Sequence, residues 1–290
     1  MRQFAYHQPA TVGEVCILLE KLGDEASVLA GGTDLLPRMK DGVITRKHLI
    51  SLKNIPQLRG IQLNGDSLAI GALTTVTELV SSALVKEKIP LLSQAAELLA
   101  SVHIRNVATV GGNLCNAAPS ADLAPPLLAL NARVRITGSG GERVVSLKEF
   151  FTGPGKTTLA KGEILKGLEV PIPTGKSRGW YSKYSLRRAM DIAVVGVAVL
   201  LTLEQSGERC QDARIALGAV APTPFRVQEA EKVLTAGEAL SVGLAERIGE
   251  LAAAEARPIS DVRSSAEYRR KMVKVQVKRA IIKAWEEVSR

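Results

Sequence analysis

Two glycine pairs constrain this 290-residue chain more than any other feature. Gly31-Gly32 and Gly111-Gly112 each lie beside apolar sequence, and each pair is accompanied by a threonine and a short polar residue. Because glycine has no Cβ and accepts positive φ, paired glycines let backbone N–H groups approach an anion closely. A tight turn would explain either pair alone. Two similar pairs in neighbouring segments instead indicate a diphosphate held between two subdomains.

The chain lacks the fingerprints of the commonest nucleotide-binding folds. Gly155-Lys156-Thr157 ends like a phosphate-binding P-loop, but Phe150 stands where that motif needs its first glycine. No G-x-G-x-x-G sequence follows a strand-like segment. The sequence therefore argues against a P-loop NTPase and against a simple NAD-dependent dehydrogenase.

Cysteine and histidine usage bears on metal chemistry. Cys16, Cys115 and Cys210 are far apart, and the three histidines are equally scattered. No two cysteines have the spacing of an iron–sulfur or zinc site, and three distant cysteines do not form a disulfide scaffold. We therefore expect no metal site built by this chain alone.

Charge and hydropathy narrow the function further. Lys and Arg outnumber Asp and Glu by 38 to 29, a positive balance that could suit nucleic acid. Aromatic residues, however, make up only 3% of the chain, and no basic cluster is interleaved with them. Nucleic acid is therefore not an expected partner. The N-terminus has no apolar stretch of signal-peptide length. The longest apolar run, residues 192–203, is too short for a membrane span and predicts a buried strand. We expect a cytoplasmic protein without a membrane span.

Periodicity and turn signals divide the chain into three blocks. The first block mixes helical and strand patterns, and the second opens with a hairpin signal at Asn64-Gly65. Two prolines and a glycine in residues 171–175 mark a linker. Beyond it, three strand-like segments precede three helical ones. We predict an α+β fold, with subdomains at about 1–55 and 56–172 in a domain of residues 1–172, then a domain at 177–290 with an antiparallel three-stranded sheet and a helical bundle.

Five segments together carry a family resemblance. VLAGGTDLLP at 28–37 and IRNVATVGGNL at 104–114 resemble the two FAD loops of the flavoprotein subunits of the molybdenum hydroxylases. Residues 118–125, 162–165 and 184–193 are also similar to that family, so the match covers essentially the whole chain. Its nearest branches are the medium subunits of carbon monoxide dehydrogenase-like and xanthine dehydrogenase-like complexes. The resemblance implies a PCMH-type FAD-binding fold of two subdomains, followed by a C-terminal flavoprotein domain.

The resemblance also implies a set of FAD contacts. The two loops would wrap the pyrophosphate and ribityl chain, two leucines would pack on the ring systems, an aspartate would face the adenosine, and a lysine would lie beside the flavin. No catalytic residue and no metal ligand are implied in this chain. The expected cofactor-binding residues are Ala30, Gly31, Gly32, Thr33, Asp34, Leu35, Leu99, Thr109, Val110, Gly111, Gly112, Asn113, Asp122, Leu165, Lys183 and Asp191.

Several of these residues have a purely structural alternative. Asp122 has the position of a helix N-cap, the two leucines suit an ordinary core, and Lys183 fits an exposed strand. Asp191 stands where many relatives carry a tyrosine that faces the flavin, which leaves the flavin environment and the electron acceptor open. Cys115 lies either near the cofactor or in the core as an inert thiol.

The implied function is that of an FAD-containing oxidoreductase subunit. It would take electrons from two [2Fe-2S] clusters of a small partner and pass them to NAD+, a quinone or oxygen, while a large molybdopterin-binding partner oxidises the substrate. A dimer of such heterotrimers is expected. The alternatives are a stand-alone flavin-dependent oxidase or reductase and a cofactor-free interaction protein. Basic residues of the last helix, among them Lys274 and Lys278, form either a solvated face or a docking surface for an acidic partner.

Overall fold

The chain opens with a small parallel sheet. The computed structural model describes residues 2–187 and 189–289, so Arg188 of the 184–193 segment lies outside the described residues, as do Met1 and Arg290. The strands β1 (Ala5–His7), β2 (Ala26–Leu29) and β3 (His48–Ser51) pair in parallel in the order β1-β3-β2. Helix α1 (Val12–Leu22) begins at Thr11, whose side chain accepts a hydrogen bond from the Glu14 N–H, as the capping sequence predicts. Helix α2 (Leu35–Lys40) follows β2 across the first glycine pair.

The second block is a five-stranded antiparallel sheet. Its strands are β4 (Ile61–Asn64), β5 (Ser67–Gly71), β6 (Arg133–Gly138), β7 (Gly141–Ser146) and β10 (Ile164–Pro171), in the order β4-β5-β10-β6-β7. A short hairpin, β8 (Phe151–Gly153) and β9 (Lys156–Thr157), precedes β10. The predicted Asn64-Gly65 hairpin is confirmed, and Gly65 has φ +55° in its turn. A positive φ there is the reason that glycine suits this position.

Short helices cover one face of this sheet. They are α3 (Val76–Ser81), α4 (Ala83–Lys88), α5 (Pro90–Glu97), α6 (Val102–Arg105), α7 (Val110–Cys115), α8 (Ala124–Ala129) and α9 (Leu147–Phe150). Their apolar side chains form one buried cluster with the sheet, in which Ile70, Leu92, Leu127 and Phe150 are almost fully buried. Each such side chain contributes about 1.5–3 kcal/mol on burial. This cluster holds the second glycine pair against the antiparallel sheet.

The C-terminal region is a second antiparallel sheet backed by helices. The three long strands expected there are confirmed as β11 (Lys176–Tyr184), β12 (Val195–Leu203) and β13 (Cys210–Gly218). A fourth strand, β14 (Phe225–Arg226), extends the sheet beyond the prediction. It is two residues long and follows two prolines, so it carries no periodic signal. The helices are α10 (Gln228–Leu234), α11 (Val242–Glu255) and α12 (Ala266–Ser289).

Strand β12 explains the longest apolar run of the sequence. Val197, Val199 and Leu201 point into the cluster formed with the C-terminal helices, whereas Ala198 and Leu200 belong to the cluster under the preceding sheet. A strand buried on both faces needs apolar residues at consecutive positions. No described helix is both long enough and apolar enough to cross a membrane.

Candidate functional site

A cavity of about 540 Å³ lies between the two N-terminal sheets and the segment that follows β11. All the predicted cofactor-binding residues except Val110 and Lys183 line it. These lining residues are Ala30, Gly31, Gly32, Thr33, Asp34, Leu35, Leu99, Thr109, Gly111, Gly112, Asn113, Asp122, Leu165 and Asp191. The fold therefore brings together residues that are up to 161 positions apart in the sequence (30 to 191).

The first glycine pair forms an open loop between β2 and α2. A Cβ on Gly31 would lie 2.0 Å from the Val107 carbonyl oxygen, so only glycine lets the loop pack on that backbone. Gly32 has φ +76°, which side chains disfavour. The backbone N–H groups of residues 31–34 donate to no protein acceptor among the described residues. The loop thus offers a row of free donors of the kind that bind anionic oxygens.

The second glycine pair differs from the expectation. It lies in the first turn of helix α7, where Thr109 is the N-cap and its Oγ1 accepts from the Gly112 N–H at 3.0 Å. The Gly111 N–H donates to the Ala72 carbonyl at 2.8 Å. The N–H groups of both glycines thus have protein acceptors, and the expectation that this segment wraps a ligand with backbone donors stays a prediction. The sequence did not predict this helix because glycine disfavours helices. The threonine N-cap is the signal that could have indicated where the helix begins.

Val110 and Gly111 serve packing in this helix. Val110 is fully buried and its N–H donates to the Thr74 carbonyl at 3.0 Å, so it faces the core and not the cavity. A Cβ on Gly111 would lie 2.7 Å from the Ala72 carbonyl oxygen. The close approach of two backbones thus requires this glycine.

Asn113 carries an unsatisfied polar atom in the cavity wall. Its Oδ1 is buried and has no hydrogen-bond partner among the described residues. A buried acceptor without a partner costs free energy comparable to a lost hydrogen bond. The site therefore suits a ligand that presents an O–H or N–H donor to Asn113.

Asp122 and Lys183 form a buried ion pair at the edge of the cavity. Lys183 Nζ lies 2.8 Å from Asp122 Oδ2 and 3.1 Å from the Leu98 carbonyl oxygen, and the Tyr181 hydroxyl donates to Asp122 Oδ1 at 3.1 Å. The Lys183 side chain is 6% exposed, so it is neither an exposed strand lysine nor a lining residue. Burial raises the pKa of Asp122, and the charge of Lys183 opposes that rise. Asp122 caps no helix, since α8 begins after Leu123 without a side-chain cap.

The remaining predicted residues form the apolar walls and the rim. Leu99 and Leu165 are buried and line the cavity. Asp191 accepts hydrogen bonds from the N–H groups of Arg187 and Ile192 at 2.8 and 2.9 Å. The hydrogen bond from the Arg187 N–H is the main cause of the lowered pKa of Asp191. This rim residue therefore keeps a negative charge.

Three further lining residues bear on the chemistry. Burial raises the pKa of the Cys115 thiol to about 12, which makes it an unreactive thiol. Arg38 was missed by the sequence analysis, although it follows Asp34 by one helical turn and so shares its side of α2. Glu163 was noted only as part of a motif, and it forms two hydrogen bonds with Arg143 at 2.8 and 2.7 Å.

The described residues form no metal-ligand cluster, and two lysines of the basic C-terminal helix are paired with glutamates. In residues 2–187 and 189–289, no group of three or more His, Cys, Asp or Glu side chains is placed to hold a metal ion. On α12, Lys274 lies 2.8 Å from Glu250, and Lys278 lies 3.0 Å from Glu246. These two lysines are neutralised within the chain, which weakens the docking hypothesis for that part of the helix.

Comparison with known proteins identifies the family. The family model described as the FAD binding domain in molybdopterin dehydrogenase matches residues 2–173. The chain belongs to the FAD-binding flavoproteins of the molybdenum hydroxylases. A second model, the CO dehydrogenase flavoprotein C-terminal domain, matches residues 180–284 of this flavoprotein. The resemblance, the fold and FAD as the cofactor are thereby confirmed.

Individual relatives match this flavoprotein over nearly its whole length. The carbon monoxide dehydrogenase medium chain of Afipia carboxidovorans is 37% identical over 281 residues, which cover 97% of this chain and 96% of the relative. The putative xanthine dehydrogenase FAD-binding subunit of Escherichia coli is 38% identical over 283 residues, covering 97% and 95%. The structure of carbon monoxide dehydrogenase from Hydrogenophaga pseudoflava superposes with a TM-score of 0.95, at 36% identity and over 98% of both chains.

The residues of the cavity fit FAD. The free N–H groups of residues 31–34 suit its pyrophosphate, and the unpartnered Oδ1 of Asn113 suits a ribityl hydroxyl. Leu99 and Leu165 supply apolar surface for a ring system. The oxidoreductase function of the family thus has a matching cofactor site in this flavoprotein.

Proposed function

We propose that this chain is the medium subunit of a molybdenum hydroxylase complex. It would hold an FAD that receives electrons from [2Fe-2S] clusters of a small subunit, after substrate oxidation at the molybdopterin of a large subunit. The observation that carries the proposal is the match over 97% of this chain and 96% of a carbon monoxide dehydrogenase medium chain. A dimer of heterotrimers in the cytoplasm and a domain division at 1–172 and 177–290 belong to the same proposal.

The residues of the cavity would bind and orient the cofactor. Bound FAD supplies the redox chemistry, and the protein supplies position and electrostatics. The loop at 31–34 would hold the pyrophosphate, and Asn113 would accept from the ribityl chain. Asp122 would accept from the adenosine, since each carboxylate oxygen has a further lone pair beside its bond to Lys183 or Tyr181. Lys183 would act through Asp122, and not by contact with the flavin.

The electron acceptor would approach at the rim of the cavity. NAD+, a quinone and oxygen are the expected classes. Asp191 keeps a carboxylate at this rim where many relatives were expected to carry a tyrosine, so the rim is more polar than an aromatic side chain would make it. A polar rim favours a soluble acceptor over a quinone.

A stand-alone flavoenzyme is the second candidate, and Asp34 is the observation that favours it. Burial raises the pKa of Asp34, and its side chain forms no ion pair within 4 Å among the described residues. A carboxyl group of this kind is a candidate general base. The other carboxylates of the cavity, Asp122, Glu163 and Asp191, are each held in an ion pair.

Flavin reduction with and without the partners distinguishes the two candidates. Carbon monoxide, xanthine and glyceraldehyde, which occur in the names of relatives, are the first substrates to test. We expect a substrate of the native complex to bleach the flavin absorption anaerobically in the complex but not in the isolated, FAD-loaded chain. Dithionite should bleach both, which shows that the isolated flavin is reducible. Direct reduction of the isolated chain by a substrate would contradict the proposal.

A further inference from the structure

The loop between α11 and α12 presents two apolar side chains to solvent. Val262 is 99% exposed and Ile259 is 69% exposed, and we call these two residues the loop tip. Val262 lies in a tight turn, because residues 261 and 264 exchange N–H···O hydrogen bonds of 3.1 and 3.2 Å. Gly, Pro, Asn, Asp and Ser dominate such turns, and a β-branched apolar residue is unusual there. Single exposed apolar residues are common, so the loop tip needs further support before it indicates a site.

The first support is that the loop is held rigidly. Asp261 Oδ1 accepts from the backbone N–H groups of Arg263 at 2.8 Å and Ser264 at 3.3 Å. The Ala266 N–H donates to Ser260 Oγ at 2.9 Å, and the Arg257 N–H donates to the Val220 carbonyl at 2.8 Å. A loop already fixed in one conformation loses little entropy when it binds a partner.

The second support is a buried arginine that fixes the loop to the sheet. Arg269 is 3% exposed, and its Nη2 donates to Asp261 Oδ1 at 2.8 Å. Its Nη1 donates to the carbonyl oxygens of Val194 and Ala219, both at 3.0 Å. Burying a guanidinium is unfavourable, and here Nη1 and Nη2 are paired while the buried Nε has no hydrogen-bond partner among the described residues. The loop conformation therefore depends on the hydrogen bonds of Arg269, which a loop that only connects two helices through solvent would not require.

The third support is uncompensated positive charge around the loop tip. Arg257 and Arg270 are exposed, and neither forms an ion pair within 4 Å among the described residues. Arg270 Nε reaches the Ala256 carbonyl at 3.4 Å, which places it beside the start of the loop. Lys274 and Lys278, farther along α12, are paired with glutamates, whereas Arg279 is exposed and, like Arg257 and Arg270, forms no ion pair within 4 Å among the described residues.

The charge pattern indicates the chemistry of the partner. A symmetric contact between two copies of this chain would bring the same arginines together, and the chain already carries a net charge of +9. An acidic surface is complementary to these arginines. A rigid apolar tip needs an apolar recess on the other side, as interface hot spots do.

We infer that the loop tip is a docking element, with Val262 and Ile259 inserted into an apolar recess of a partner subunit and Arg257 and Arg270 facing carboxylates at its rim. The inference rests on the proposed function, because the partner is taken to be a subunit of the same complex. It explains why a costly buried arginine supports an exposed apolar turn.

Assembly of the complete complex tests the inference. The full chain is co-expressed with its partner subunits as wild type, Val262→Asp, Ile259→Asp, or the charge-reversal pair Arg257→Glu and Arg270→Glu. Leu63→Asp is the matched control, because Leu63 is a 54% exposed apolar residue on strand β4. Bound FAD per chain and the thermal midpoint check folding, and dilution of the complex gives the dissociation constant of the chain.

We expect Val262→Asp to weaken assembly by at least about tenfold, and the charge reversal to weaken it mainly at low salt. Leu63→Asp should leave assembly unchanged, and every variant should keep its FAD. Equal assembly of Val262→Asp and Leu63→Asp would overturn the inference, as would binding of the wild-type tip to anionic phospholipid vesicles or to a second copy instead. A wild-type chain that finds no cluster-bearing partner would instead overturn the proposed function.

Discussion

Replacing Lys183 by methionine separates a positioning role from a flavin contact. The change removes the cation from a pair whose side chains are 6% and 10% exposed, and it leaves Asp122 buried with the Tyr181 hydroxyl as its remaining partner. Breaking a buried ion pair by removing one partner costs about 3–5 kcal/mol. We therefore expect Lys183→Met to lower the free energy of unfolding by about that amount at neutral pH.

The pH dependence of this loss has a definite sign. The folded-state pKa of Asp122 is raised because burial outweighs the attraction of Lys183. The stability of a group with a raised pKa is fully present below its unfolded pKa and is lost as the pH rises through its folded pKa. Without Lys183 the folded-state pKa of Asp122 rises further, so the pH range over which this stability is lost extends to higher pH. The loss caused by Lys183→Met should be smaller at pH 5 than at pH 8.

Urea unfolding of the full chain measures these effects. The double variant Asp122→Asn/Lys183→Met removes both charges, and we expect it to be more stable than Lys183→Met alone. Lys148→Met is the control at an exposed lysine and should change stability by no more than about 0.5 kcal/mol. A loss below about 1 kcal/mol for Lys183→Met, or strict additivity in the double variant, would refute the role assigned to the pair.

Three further predictions follow from the structure. Gly31→Ala places a Cβ 2.0 Å from the Val107 carbonyl oxygen and should abolish FAD retention, whereas Gly13→Ala in α1, with only one contact at 4.0 Å, should keep it, as flavin content will show. The hydrogen bond from the Arg263 N–H is the main cause that lowers the pKa of Asp261 to about 2, so the stabilising contribution of this carboxylate should be lost as the pH falls from about 4 to about 2. The urea midpoints of wild type and Asp261→Asn should therefore converge over that range. Midpoints that stay equally far apart would contradict this prediction. Cys115, whose pKa is about 12, should resist iodoacetamide in the native chain at pH 8 and react only after unfolding, and rapid native alkylation would show an exposed thiolate.

Local signals in the sequence predicted most of the elements. The Thr11 cap, the Asn64-Gly65 turn and the apolar run of β12 each have a short-range cause, and each element is found at the expected place. The fourth strand, β14, was missed because its two residues are defined by pairing with β13, a long-range contact without a local pattern. Sequence pattern thus sufficed where the physics is local.

The site was predicted less evenly, for the same reason. The two glycine pairs look alike in the sequence, yet one is an open loop with free donors and the other is a helix whose donors are used by the protein. The Gly111 N–H donates to the carbonyl of Ala72, a residue that no motif connects to the second pair. The pairing of Lys183 with Asp122 likewise appears only when β11 packs beside the cavity.

Native mass spectrometry of the purified complex, combined with flavin, molybdenum and iron analysis, shows whether this chain is the medium subunit of a molybdenum hydroxylase. We expect one FAD per copy of this chain, in an assembly with a molybdenum-containing large subunit and a small subunit that carries two [2Fe-2S] clusters. An FAD-loaded chain that purifies without such partners and oxidises a substrate by itself would contradict this expectation.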